Sequence, residues 1–261
     1  MSRLLEKLKH ISDGGTQPIG FGVSASREKT PQMLIIADMP AGDSELATTA
    51  TQAGADILLL NTESRGNKDT LARLSSTKLS VPWGVSLDTL TKEDSEQLVK
   101  TECDFIILNP DKTPATILDE DRIGKVLRME PSSGGGLIRT ANHLSIDAVL
   151  LPVANEGEAS LSISQVMAYH RLIRGLSKHL IIALPSDLAT SNLESFWSLG
   201  ARGVVVDLTV GNPEQKISEV KEEIGKLPSR RRKSGEKGGP LLPFSRMHSD
   251  VIDPDEDDED F

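Results

Sequence analysis

In the run KVLRMEP (residues 125–131), Arg128 and Glu130 stand two residues apart, which places them on one face of an extended strand. If that face points into a cavity, the guanidinium orients an anionic substrate while the carboxylate acts as acid, base or metal ligand. A structural ion pair is the competing use of the same two residues. Asp88 lies two beyond Ser86 and Asp207 two beyond Val205. Asp88 is expected to assist Arg128 and Glu130 in catalysis. Together with Asp38, the carboxylates of Asp88, Glu130 and Asp207 make an oxygen-only set of the kind that takes Mg2+ or Mn2+. Acidic residues at strand ends serve equally well as caps for the helices that follow. The run Ser133-Gly134-Gly135-Gly136 exposes consecutive N–H groups at a helix start, a candidate anion site. A loop that needs glycine only to turn is the alternative.

Other chemistry is thinly represented. No histidine ends an aliphatic run, and no lysine falls in the second half of one, so a Schiff-base amine is missing; Lys112 is the nearest and reads as a loop residue. Cys103 is the single cysteine and reads as a small buried apolar group.

The elements that must position these residues repeat one pattern. Short aliphatic runs fall at 33–38, 55–61, 82–88, 104–109, 125–130, 147–152, 180–185 and 203–208. Continuous runs of Val, Ile and Leu mark strands covered on both faces, as in a parallel sheet. Segments of helical period lie between them, and Asp43, Asn67, Thr91, Ser191 and Asn212 stand where a side-chain oxygen caps a helix start. Gly54 and Gly200 stand at helix ends. Eight such units of about 24 residues predict an α/β fold, a compact (β/α)8 TIM barrel over residues 33–227. A doubly wound open sheet competes, but no glycine-rich phosphate turn follows the first run. Residues 1–32 are expected to form an N-terminal cap, a helix over 2–11 followed by a strand at 18–23. In a rival arrangement, 18–23 is the first barrel strand and the 125–130 run is dropped, because its preceding helix is the weakest.

The chain has 261 residues, a net charge of −10, 3% aromatics and one cysteine. Disulfide-stapled, collagenous and membrane-spanning classes are excluded. The charged N-terminal stripe is not a signal peptide, so the expected location is cytoplasmic. Residues 228–261 hold six basic and nine acidic residues, leaving −7 on the body. An acidic body repels phosphate backbones and anionic lipid, so neither nucleic acid nor membrane is the expected partner of the barrel. The tail, basic then acidic, has almost nothing to bury and is expected to be disordered, free to contact another protein. Removing residues beyond Leu227 is therefore expected to leave the melting temperature within a few degrees of the full chain. A large loss on calorimetry would show that the tail docks.

The stretches ATQAGADILLLN (50–61) and LIIALPSDLATSNLESFWSLGARGVVVDL (180–208) resemble those of aldolase-type barrels that bind phosphate or flavin, such as nitronate monooxygenases and thiazole synthases. In those families glycines after the seventh and eighth strands carry the phosphate. Here the positions read Leu184-Pro185-Ser186 and Asp207. Proline has no N–H to offer, and an aspartate opposes a phosphate. The resemblance thus implies the fold, while tight binding of flavin mononucleotide is not expected, nor is any other organic cofactor. Two functions stay open: a lyase, aldolase or isomerase acting on a small anionic metabolite, phosphorylated or not, or a barrel that has lost catalysis and serves as a binding protein.

Overall fold

The computed structural model describes residues 2–13, 31–62, 79–87, 91–153, 162–184 and 193–228. Eight parallel strands close into a barrel in chain order: β1 (Leu34–Pro40), β2 (Ile57–Thr62), β3 (Trp83–Leu87), β4 (Phe105–Leu108), β5 (Gly124–Arg128), β6 (Ala148–Pro152), β7 (His179–Ala183) and β8 (Gly203–Asp207), with β8 pairing back onto β1. The described helices are α1 (Arg3–Ser12), α2 (Ser44–Ala53), α3 (Lys92–Lys100), α4 (Gly135–His143), α5 (Ile163–Gly175), α6 (Leu193–Leu199) and α7 (Pro213–Lys226). None is long and apolar enough to cross a membrane.

All eight aliphatic runs are strands, because each buries both of its faces. Outward residues such as Ile35, Leu58, Val149 and Val204 pack beneath the helices, while Ile36, Leu59, Val126 and Val205 fill the interior. Phe105 takes up so much of that interior that a Cβ on Gly84 would lie 2.5 Å from its ring, so only glycine fits there. The rival arrangement that dropped the 125–130 run is overturned: β5 pairs with β4 on one side and β6 on the other. The strand at 18–23 and the tail beyond Pro228 lie outside the described residues.

Helix α1 closes the bottom of the barrel. Its apolar stripe, Leu4, Leu8 and Ile11, joins the interior cluster, and the Asp104 carboxylate accepts from the N–H groups of Arg3 and Leu4 at 2.7 and 2.8 Å and from the Ser2 hydroxyl at 2.8 Å. That satisfies helix N–H groups that have no partner within the helix. Among the expected caps, Asp43, Thr91 and Asn212 accept from the first turns of α2, α3 and α7; Asn67 and Ser191 lie outside the described residues. Gly54 and Gly200 end α2 and α6 at φ of 113° and 120°, left-handed backbone that suits glycine.

Among the described residues one unit departs from the pattern. Between β4 and β5 the chain makes only a five-residue 3-10 turn, Ala115–Asp119. Pro110 and Pro114 flank its approach and disfavour a longer helix. The side of the barrel there lacks the cover that an α-helix would give.

Candidate functional site

Strand alternation decides which side chains reach the open end of the barrel. Asp38, Arg128 and Asp207 each stand two residues beyond an interior residue, Ile36, Val126 and Val205 respectively, so all three project into the mouth. Asp38 and Asp207 are direct partners in the β1–β8 register. Asn61 and Ser86 are partners in the β2–β3 register. Among the described residues the result is a rim of Asp38, Asp207, Asn61 and Ser86 facing the Arg128 guanidinium from β5.

The two aspartates differ in their environments. Asp207 is held by its own loop: its Oδ1 accepts from the Thr209 N–H at 2.8 Å and the Thr209 hydroxyl at 2.6 Å. Lys216 donates to the Asp207 carbonyl at 3.0 Å. Asp38 is the opposite case. Its Oδ1 is buried and has no hydrogen-bond partner among the described residues. Burial first, and the charge of Asp207 second, push its pKa up from 3.8 to about 7; the Met39 N–H and the Arg128 charge pull the other way. Two neighbouring carboxyls made unlike by their surroundings are a recurring arrangement in acid–base sites.

The sequence-level candidates fall into place unevenly. Arg128 is the last residue of β5, and Glu130 lies beyond the strand. The shared strand face expected for them is therefore corrected: they meet as a loose ion pair, Nε to Oε1 at 4.0 Å, with side chains 50% and 63% exposed. A strand that stops at Arg128 lets Glu130 swing to the outer wall. Arg128, Glu130 and Ser133 line one lateral groove of about 800 Å3 between the 3-10 turn and α4. Gly134 is the N-cap of α4 and makes no side-chain cap, while Gly135 and Gly136 open the helix with free space where a Cβ would stand. Asp88 lies outside the described residues, as do Pro185 and Ser186. Among the described residues no three His, Cys, Asp or Glu side chains gather at one point.

Asp38 enters the sequence reading only as a possible metal ligand. The one signal for it is its place at the end of the first run; burial beside Asp207 emerges only when β8 closes onto β1. His179 is the first residue of β7, so it sits at the opposite end of the barrel from the mouth. Its Nδ1 lies 3.2 Å from the Ser12 hydroxyl. Cys103 is buried and its thiol donates to the Phe105 carbonyl at 3.2 Å. Burial pushes that thiol up, which makes it a poor nucleophile.

No protein-family profile matches the chain, and no curated protein matches it at significant similarity. Solved structures do. Tryptophan synthase from Mycobacterium tuberculosis aligns with a TM-score of 0.62 and 15% identity over 85% of this chain and 98% of that one. A mutant tryptophan synthase alpha-subunit from Pyrococcus furiosus aligns at 0.56 and 14% identity over 76% and 98%. Thiamine phosphate pyrophosphorylase from Pyrococcus furiosus aligns at 0.55 and 9% identity over 74% and 95%. At such identities the likeness carries the architecture and leaves the chemistry to the site. The chain is a (β/α)8 barrel, similar in fold to the tryptophan synthase and thiamine phosphate pyrophosphorylase barrels.

Proposed function

We propose that the chain is an enzyme of lyase or isomerase type that moves a proton on a small organic anion at the barrel mouth. The observation that carries this is the Asp38–Asp207 pair facing Arg128, with Asp38 poised near pH 7. Asp38 takes a proton from a carbon beside the anionic group. It then returns that proton to a neighbouring atom in an isomerisation, or to the leaving group in a lyase reaction. Burial, with the charge of Asp207 added to it, keeps the pKa of Asp38 high, and Arg128 holds the anion. Glu130 and Asp88 remain candidates for a second acid or base. Ser133 and Gly134–Gly136 are candidates for an additional anion contact, and Mg2+ or Mn2+ for a metal at the acidic rim.

Hydrogen exchange tests this. A panel of small carboxylates and phosphate monoesters is incubated with the protein in D2O and followed by NMR. Exchange of a carbon-bound proton is expected with wild type and a loss of at least about 100-fold with Asp38→Asn. Exchange that is unchanged in Asp38→Asn, or absent across the panel, overturns the assignment.

The same rim argues against flavin mononucleotide. The Thr209 N–H beyond β8 is already taken by the Asp207 carboxylate, and Pro185 has no N–H. Repulsion between unit charges near 4 Å is about 4 kcal/mol at an effective dielectric of 20, or about a thousandfold in affinity. The protein should purify colourless, with no quenching of added flavin at micromolar concentrations. A yellow preparation with stoichiometric flavin would refute this.

A second reading has its own observation. Ile163, Val166 and Met167 on α5 are exposed apolar side chains, as expected if the barrel serves as a binding protein.

A further inference from the structure

We infer that the lateral groove binds the apolar body of an organic acid whose carboxylate is held by Arg128. This rests on the mouth reading and names the class of substrate it would take, an aryl or branched-alkyl carboxylate. The groove exists because the β4–β5 unit has a 3-10 turn in place of an α-helix. Leu118, Leu127, Leu137, Ala141 and Leu144 form its apolar part, Asp111, Lys112 and Glu130 stand along its polar side, and its volume of about 800 Å3 lies in the range of small-molecule sites.

The groove is built rather than left over. Lys125 points outward from β5 and is buried; its Nζ donates to the carbonyls of Leu118 at 2.7 Å and Glu120 at 3.0 Å, pinning the turn. Above it, the Asn109 N–H donates to the Thr113 hydroxyl at 3.0 Å, and the Asn109 side chain accepts from the Asp111 N–H at 3.1 Å. A wall fixed in this way cannot collapse onto the exposed Leu137 or the half-buried Leu118, Leu127 and Leu144.

Arg128 gives the groove its polarity. It belongs both to this lining and to the mouth, where its charge acts on Asp38. Among the described residues it makes no hydrogen bond, and the Glu130 contact at 4.0 Å is longer than one. Its guanidinium fork therefore retains donors for a bidentate carboxylate. An apolar trough that ends at such a fork selects an acid with an apolar body over a short one.

Calorimetric titration with 3-phenylpropanoate, propanoate and 3-phenylpropanamide tests this on the full chain. The phenyl acid is expected to bind at least about tenfold tighter than propanoate, as burial of an apolar ring implies. Leu137→Gln alters a side chain that is 64% exposed, so the fold survives, and it should weaken the phenyl acid severalfold with little effect on propanoate. Arg128→Gln should erase the preference for the acid over its amide. Asp38→Asn should leave a binding preference in place, so failure of the proton-transfer reading shows in the exchange experiment and not here. Equal affinities for the long and short acids, or indifference to Leu137→Gln, overturn the inference. So does a concentration-dependent dimer that covers the groove and excludes the probe.

Discussion

Replacing Asp38 by Asn should make the protein more stable at pH 8 and leave it unchanged at pH 4. A carboxyl raised from 3.8 to about 7 binds its proton more tightly folded than unfolded. The native state is therefore favoured below the unfolded pKa, and that advantage is lost as pH rises through the folded one. At about 1.4 kcal/mol per pH unit the penalty at pH 8 has an upper bound of roughly 4 kcal/mol. Solvent at the half-open mouth screens part of it, leaving about 2 kcal/mol as the gain for the uncharged isostere. Urea titrations of both proteins from pH 4 to 9 should show curves that coincide in acid and diverge between pH 4 and 7. Curves that stay parallel would mean that Asp38 is well hydrated and has an ordinary pKa. A residue whose removal stabilises the fold is held there for some other reason, and acid–base work is a physical one.

Truncating Leu8 to Ala should cost about 2–5 kcal/mol, the range for a large buried side chain in a well-packed core. Leu8 is fully buried, and with Leu4 and Ile11 it seals the barrel bottom against Leu34, Ile57 and Ala148. The space cannot close easily, because the closed sheet fixes the strands around it. The same titration at pH 7 measures the loss. A cost below about 1 kcal/mol would show that α1 only rests on the barrel and does not plug it.

The strands were legible because two-sided burial writes itself as unbroken aliphatic runs, and the caps because Asp43, Thr91 and Asn212 act within one turn of themselves. The weak helix before β5 was legible too, through the short length of its segment. Its consequence was not, since a missing helix becomes a groove only when α4 and the β4–β5 wall stand on either side.

The site was harder to read. Arg128 and Glu130 attract attention as neighbours in sequence, yet their distance depends on where β5 stops, and that is set by its pairing with β6 at Arg128–Leu150. Asp38 and Asp207 are 169 positions apart in the chain and become partners because the eighth strand pairs with the first. Local sequence thus determined what the short-range forces govern: the elements, their caps, the apolar faces and the absence of strand-end histidine. Barrel closure alone decided which carboxyl is buried and beside which charge. Desolvation and Coulomb coupling act through space, and they turned an ordinary strand-end aspartate into one poised near pH 7.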